Sequence, residues 1–399
     1  MGNGIYRFIH PMVGSSTANI LASCRGRRIS ARFYPKLALT VFISSVLAPF
    51  RWYERLRFDK AIREYDVPRD PVFIIGHWRS GTTYLHNILC QDPRFSYITT
   101  YQSIFPEYLL GSKRLLQPLM NLIIPKNRPM DEMKLQAEFP QEDEFALGNS
   151  SPFSMYHYLI FPEDLDEYYK KSVAFEGMPA KHKNRWKNNY LKLVKKALFD
   201  QKRDRFISKN PAHTGRIATL LEMFPSAKFI HIFRNPVTVF LSTKRYLDKS
   251  MAQLRLTDFD HGELDAHVSR VYREVMNDFL HDQALIPPQN YFELRYEDFA
   301  HNPHCTLRDL YEKLDLGEYD QVSTLFSEYI ESQRSYKKNT HQVSRSQLEY
   351  ILNELRFALD KWGYDVPTDI QINDELVSGR SSSIGLGSSR LSCTEPPSV

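Results

Sequence analysis

The segment FIIGHWRSGTTYL, which contains Gly76 and Gly81, constrains the fold more than any other part of the sequence. Four residues lie between its glycines, as in the phosphate-binding loop G-x-x-x-x-G-K-[ST] of nucleotide hydrolases. Thr82 and Thr83 take the places of that loop's lysine and hydroxyl residue, so the positive charge comes from Arg79 instead. An apolar run precedes the loop, and apolar residues at helical spacing follow it. The segment therefore predicts a buried strand, a glycine turn and a helix.

A glycine turn that leads into a helix is suited to binding an anion. Backbone N–H groups converge there, and the helix N-terminus carries roughly half a positive charge. Arg79 adds a planar set of donors that matches an oxyanion. The plain alternative is a tight turn with a solvated arginine, and the segments that follow favour the anion site.

Strands and helices alternate again after position 205. Strand patterns occur in RFIS from Arg205, in KFIHIF over residues 228–233 and in YFELRYEDF over residues 291–299. The section between about residues 100 and 200 is rich in aromatic residues and proline and is typical of helices and loops. We predict an α/β fold, a three-layer P-loop-like domain with a central parallel sheet, and we expect the helical 100–200 section to pack over the carboxyl edge of that sheet.

Cations follow the predicted strands at the points where the strands end. Lys209 follows the second strand, and Arg234 follows the third, with Ser242 eight residues later. Ligands of open parallel sheets bind at the carboxyl ends of the strands, so these residues are expected to meet Arg79. One turn and about one helical turn can bring Arg234 and Ser242 to a single phosphate. An arginine paired with a structural carboxylate is the alternative.

Together, these motifs resemble those of the sulfotransferases that use 3′-phosphoadenosine 5′-phosphosulfate (PAPS). The likeness covers about residues 68–320 and is closer to the broad families whose loop reads RSGTT than to cytosolic enzymes with KSGTT. It implies that Lys209 touches the transferring sulfuryl group and that Arg234 and Ser242 hold the 3′-phosphate. It also places Tyr84 where many members stack a tryptophan on adenine. The loop residues implied to hold the 5′-phosphosulfate are Arg79, Ser80, Gly81, Thr82 and Thr83.

The sequence departs from the family pattern in two places. Many members have a catalytic histidine two residues after the lysine, where this chain has Pro211. The C-terminal RKG segment of cytosolic members is absent, and we expect Lys337 and Lys338 to substitute for it. The base that deprotonates the acceptor is therefore left open. The candidates are Glu142 and Glu144 of the acidic run PQEDE, ranked first, then His213 and His86.

Composition sets limits on partners and compartment. The net charge of +5 is modest for 399 residues, and the basic residues are spread out, so nucleic acid binding is not favoured. The four cysteines are far apart and show no metal-binding spacing, which predicts neither a disulfide framework nor a zinc site. The cysteine pattern favours a reducing compartment, so we expect a cytoplasmic protein. We also expect that it needs no metal, because a sulfuryl donor carries less charge than a triphosphate.

The N-terminal segment, residues 1–67, is predicted to be helical and separate from a sulfotransferase domain over residues 68–377. Its apolar run at 37–50 is shorter than the ~20 residues of a spanning helix and lies too far along the chain for a signal peptide. Basic residues precede the run, so contact with a membrane surface and burial against the domain are both open. Residues 378–399 are rich in serine and glycine and predict a disordered tail.

The predicted function is transfer of a sulfuryl group from PAPS to a hydroxyl of a hydrophobic alcohol, such as a lipid or glycolipid. Two alternatives remain at this point: a non-catalytic nucleotide-binding or membrane scaffold, and an ATP-dependent kinase-like enzyme that would need magnesium. The aromatic residues expected to line the acceptor pocket, with an ordinary core as the alternative, are Phe105, Phe139, Phe153, Tyr156, Tyr158 and Phe161. The oligomeric state is not readable from the sequence.

Overall fold

A computed structural model describes residues 9–124, 135–334 and 341–373. Within these ranges the main sheet is five-stranded and fully parallel, with the strand order β2-β3-β1-β4-β5. A second parallel pair joins β6 and β7. The strands are β1 (Arg69–Ile75), β2 (Phe95–Ser96), β3 (Arg205–Lys209), β4 (Lys228–Phe233), β5 (Tyr291–Arg295), β6 (His341–Val343) and β7 (Ile370–Ile372).

Helices follow most strands, and five helices lie in the described part of the 100–200 section. Their bounds are α1 (Thr17–Cys24), α2 (Tyr34–Val46), α3 (Ala48–Glu64), α4 (Thr82–Leu89), α5 (Thr100–Ile104), α6 (Lys113–Ile123), α7 (Asp143–Ser150), α8 (Leu165–Tyr169), α9 (Ala180–Gln201), α10 (Ile217–Met223), α11 (Pro236–Leu254), α12 (Leu264–Asp282), α13 (Tyr296–His301), α14 (Pro303–Lys313), α15 (Ser323–Ser332), α16 (Arg345–Glu354) and α17 (Arg356–Trp362).

The central strand β1 has helices on both of its faces. Phe73 and Ile75 point into one core with α9, α10 and α12, whereas Val72 and Ile74 point into the other with α4, α14 and α15. All four side chains are fully buried, because alternate residues of a strand face opposite sides of the sheet. The three-layer α/β fold predicted from the sequence is confirmed.

Two buried carboxylates hold α7 against the end of the sheet. Asp143 accepts hydrogen bonds from Ser208 Oγ of β3 (2.6 Å) and from Tyr190 OH of α9 (2.7 Å). Glu144 forms a bidentate ion pair with Arg216, at 2.7 and 3.0 Å. The residue just before this pair, Glu142, is thereby placed at the carboxyl edge of the sheet.

Burial and partners give the two carboxyl groups opposite protonation. Burial raises the pKa of Asp143 to about 7, although its hydrogen bonds act in the other direction. Burial also acts on Glu144, but the charge and hydrogen bonds of Arg216 outweigh it and lower the pKa to about 2. Asp143 is therefore largely protonated below neutral pH, whereas Glu144 stays ionised.

The N-terminal helices pack on the rest of the chain. Glu54 of α3 and Lys196 of α9 form a buried ion pair of 2.6 Å, and Asn19 of α1 donates to the carbonyl oxygen of Gly148. Among the described helices, none alone has the length and apolar character to cross a membrane. One pair, Ala31–Val46 with Ala48–Glu64, passes that test together and bends by 42° at the break.

We predict that Asp143→Asn changes the pH dependence of stability. In the folded chain this carboxyl keeps a proton that the unfolded chain releases at about pH 4, so its contribution to stability is full below that pH. The contribution is lost as the pH rises through 7, the pKa in the folded chain. Asparagine has no proton to lose. In urea unfolding, the free energy of unfolding of the variant minus that of the wild type should therefore be larger at pH 8 than at pH 5 by at least about 1 kcal/mol. An equal difference at both pH values would contradict the assignment.

Candidate active site

The loop between β1 and α4 can be formed only with glycine at two positions. Gly76 and Gly81 have φ angles of 137° and 98°, which side chains disfavour. A Cβ on Gly81 would lie 2.3 Å from the ring of Tyr296, and one on Gly76 would lie 2.2 Å from the carbonyl oxygen of Ile232. Arg79 also has a positive φ, 71°. Non-glycine residues in this region are strained and cluster at functional sites.

A threonine that the sequence analysis missed fixes the start of this loop. The N–H of Gly76 donates to Thr214 Oγ1 at 2.8 Å, and the Thr214 hydroxyl donates back to the Gly76 carbonyl oxygen at 3.2 Å. Thr214 lies in the turn after β3, so it ties the ends of two neighbouring strands together. The HTG sequence at residues 213–215, soon after Lys209, could have indicated this threonine.

A cavity of about 730 Å³ opens at the carboxyl edge of the sheet. Its size lies in the range of small-molecule sites. One part is formed by the loop and by segments that follow β4 and β5, and the other by the N-terminal segment, α5, α7 and the end of α11. The predicted cofactor and catalytic residues that line it are Arg79, Gly81, Thr82, Thr83, Tyr84, Glu142 and Arg234.

The charged part of the cavity joins the two predicted phosphate sites. Arg79 Nε donates to Ser242 Oγ at 3.0 Å, and Ser242 lies in the second turn of α11. The guanidinium of Arg234 lies over the ring of Tyr296, 4.4 Å from its centroid. The same ring packs on Gly81. Tyr296 thus connects the loop to Arg234, although the sequence analysis had assigned the RYEDF segment no role in the site.

Besides burial, the positive charge of this part of the cavity lowers the pKa of His341. Burial lowers the pKa of His341, and the charges of Arg234 and Arg245 lower it further. Arg79 contributes in the same direction. An anion bound here would be attracted by several guanidinium groups.

Glu142 links the charged part to the acceptor part. Its carboxylate lines the cavity, with the side chain 14% exposed, and accepts from Lys209 Nζ at 2.7 Å. Lys209 ends β3 and is 1% exposed, so it lies behind Glu142 in the cavity wall. Glu142 is also the residue that immediately precedes α7.

The other predicted bases are enclosed in the core. Besides Arg216, Glu144 accepts hydrogen bonds from the N–H of Met155 (2.7 Å) and Nδ2 of Asn210 (2.7 Å). His213 is fully buried against Tyr190, with ring centroids 4.9 Å apart. Burial is the first cause that lowers its pKa well below the ordinary value, and the charge of Arg216 is the second.

The remaining predicted residues lie beside the cavity or outside the described chain. His86 is buried in α4, where burial lowers its pKa, followed by the charge of Lys209. Ser80 is buried in the loop, and its N–H donates to the carbonyl oxygen of His77. Lys337 and Lys338 fall outside the described residues.

The acceptor part of the cavity has both apolar and polar side chains. The polar residues that line it are Thr100, Ser103, Gln141, Asn149 and Gln253. Tyr156 lines it as predicted, whereas Phe161 is buried in the main core. Strand and helix patterns cannot distinguish a residue that lines the cavity from one in the core, because an aromatic residue in a helical section can face the cavity or the core. The apolar residues that line this part are Pro11, Ile104, Leu135, Phe145, Tyr156 and Leu254.

Comparison with known proteins identifies the family of this chain. The profile of the Sulfotransferase family matches residues 71–321. The chain is 32% identical over 330 residues to the omega-hydroxy-beta-dihydromenaquinone-9 sulfotransferase Stf3 of Mycobacterium bovis and to that of Mycobacterium tuberculosis. Each alignment covers 82% of this chain and 84% of the relative.

Solved structures share the fold at lower sequence identity. Sulfotransferase STF9 from Mycobacterium avium superposes with a TM-score of 0.63 at 17% identity, covering 90% of this chain and 98% of the other. Sulfotransferase STF1 from Mycobacterium tuberculosis gives 0.60 at 15% identity, covering 84% and 89%. The family match over most of the predicted domain confirms the resemblance drawn from the sequence motifs: this chain belongs to the sulfotransferase family.

Proposed function

We propose that the chain transfers a sulfuryl group from PAPS to a hydroxyl on a long apolar molecule. The observation that carries the proposal is one cavity with the glycine loop, Arg79 and Arg234 in one part, a group of apolar side chains in the other, and Glu142 between them. The family supports sulfuryl transfer, and the cavity supports a nucleotide donor and an apolar acceptor.

The residues present fit the two charged ends of the donor. The loop N–H groups, the N-terminus of α4 and Arg79 are suited to the 5′-phosphosulfate. Arg234, held over Tyr296, is suited to the 3′-phosphate. Ser242 lies in the helix that follows Arg234 and holds Arg79 by a hydrogen bond. Tyr84 lines the same part, where its ring is available to the adenine. A bound donor supplies the activated sulfuryl group, and the protein holds it in line with the acceptor.

Glu142 is the base in this proposal. Its carboxylate accepts the proton of the acceptor hydroxyl while the hydroxyl oxygen forms a bond to sulfur. The bond between sulfur and the 5′-phosphate oxygen breaks, and that oxygen leaves with the electron pair. The products are the sulfate ester and 3′-phosphoadenosine 5′-phosphate. Glu144 and His213 then act as structural residues, because their partners in the core already hold them.

Lys209 couples proton transfer to the departure of the phosphate. In the free protein its ammonium is neutralised by the Glu142 carboxylate 2.7 Å away. Once Glu142 takes up a proton, that carboxylate no longer offsets the Lys209 charge, which then stabilises the negative charge on the leaving oxygen from behind the cavity wall. Removing one such stabilising contact typically raises a barrier by about 3 kcal/mol.

The acceptor class rests on the apolar part of the cavity and on one relative. Stf3 is named for sulfation of a hydroxylated menaquinone derivative, and it aligns over most of both chains. An apolar wall with a carboxylate at its inner end suits a molecule of that class, in which a hydroxyl terminates a long hydrocarbon chain.

We predict that Glu142→Gln lowers kcat for sulfation of an omega-hydroxylated menaquinone in detergent by a hundredfold or more, because the amide cannot accept the proton. Product formation is measured by mass spectrometry with PAPS as donor. Affinity for 3′-phosphoadenosine 5′-phosphate should change by less than about threefold. Glu328→Gln, an exposed change in α15, is the control. A variant that keeps kcat within fivefold would exclude Glu142 as the base.

We predict that Arg234→Ala weakens binding of 3′-phosphoadenosine 5′-phosphate by about 10- to 100-fold, the size of one lost charged hydrogen bond. Adenosine 5′-phosphate lacks the 3′-phosphate, so its affinity should stay the same. Calorimetric titration measures both ligands. Arg308→Ala, at an exposed position in α14, is the control. An equal loss for the two nucleotides would move the 3′-phosphate site away from Arg234.

A further inference from the structure

Three helices near the N-terminus expose apolar side chains on one side each. On α2 these are Leu39, Phe42 and Val46, and Phe42 is 65% exposed. On α3, Trp52 is 68% exposed and Leu56 is similar. Such spacing is typical of a helix face that contacts another apolar phase.

Helix α6 exposes a further apolar face although its opposite side is already buried. Leu116 and Met120 pack inward, while the outward residues recur at spacings of four, three and one. The exposed fraction of Leu122 is 84%. The outward residues are Leu115, Leu119, Leu122 and Ile123.

The α2–α3 corner and α6 form one surface. Leu47 and Phe50 at the corner pack on the same cluster as Leu116 and Met120. Glu54 of α3 accepts from the N–H groups of Leu110 and Gly111, which lie just before α6, at 2.9 and 2.7 Å. We name this face, formed by the exposed apolar residues of α2, α3 and α6, the apolar platform.

The apolar platform lies directly behind the acceptor part of the cavity. Ile104 lines the cavity and packs on the cluster beneath α6. Lys36 of α2 donates to the carbonyl oxygen of Gln253, another lining residue, at 2.7 Å. The N–H of His10, next to the lining residue Pro11, donates to Thr40 of α2. The helices of the platform therefore contact residues that line the acceptor part of the cavity.

Exposed arginines border the platform. Arg25 and Arg28 precede α2, Arg57 lies on α3 and Arg114 on α6. Cations around an apolar helix face are complementary to an anionic lipid surface, where each contributes about 1 kcal/mol. Trp52 and Tyr53 are exposed next to them, and these residue types favour the membrane interface.

We propose that the apolar platform docks on the surface of an anionic lipid bilayer, so that a lipid acceptor passes from the bilayer into the cavity. The entry of the acceptor rests on the proposed function, whereas docking does not. The apolar side chains enter the interfacial layer, and the arginines contact lipid phosphates. A second copy of this chain is the alternative occupant.

Co-sedimentation with vesicles tests the docking. The full chain should bind mixed vesicles of phosphatidylcholine and phosphatidylglycerol. It should bind vesicles of phosphatidylcholine alone much more weakly. The double variant Leu119→Glu, Leu122→Glu should bind about tenfold more weakly or worse, because two exposed apolar contacts become anionic. Leu285→Glu is the matched control, since Leu285 is exposed but lies away from the platform, after α12, and it should bind as the wild type does.

The outcomes are separable from those for sulfuryl transfer. Nucleotide binding by the double variant should match the wild type, which shows that the fold and donor site are intact. Vesicle binding by a protein inactive with PAPS would support docking and reject the proposed function. No binding to anionic vesicles, or equal binding by the double variant, would overturn the docking proposal. Self-association without lipid, lost in the double variant, would assign the platform to a second copy.

Discussion

The contact between Gly81 and the ring of Tyr296 is the constraint on which the charged part of the site depends. It allows the loop to turn directly into α4, and it leaves no space for a Cβ at position 81. The same ring also supports Arg234. A change in either residue would therefore disturb both phosphate sites that we propose. The conformation of the loop after β1 thus depends on its contact with Tyr296, which follows β5, as well as on its own sequence.

Three consecutive acids at the start of α7 show how environment separates the roles of similar groups. Glu142 faces the cavity and pairs with Lys209. Asp143 is buried with hydroxyl groups, of Ser208 and Tyr190, as its hydrogen-bond partners, and burial favours its neutral form. Glu144 is equally buried, but Arg216 keeps it ionised. Because the two inner acids fix α7 to the sheet and the core, the outer one has a defined position at the edge where ligands of parallel sheets bind.

Much of this could be predicted from the sequence, because strands and glycine turns leave local signals. The KFIHIF strand has the predicted bounds, Lys209 is the last residue of a strand, and Arg79 and Arg234 follow strands. The sequence analysis missed the two-residue strand β2 and the β6–β7 pair, which are too short to show a period. It also could not rank Glu142 above Glu144, since that difference depends on the distant Arg216. The role of Tyr296 arises from packing across the sheet and has no local signature.

The central claim is that the cavity binds a 3′-phosphorylated adenosine nucleotide. Calorimetric titration of the purified chain with 3′-phosphoadenosine 5′-phosphate, beside ATP with magnesium, tests it most directly. We expect micromolar binding of the former and binding of ATP weaker by about tenfold or more, because Thr82 stands where ATP-binding loops have lysine. Tighter binding of ATP, or binding of neither nucleotide, would contradict the account.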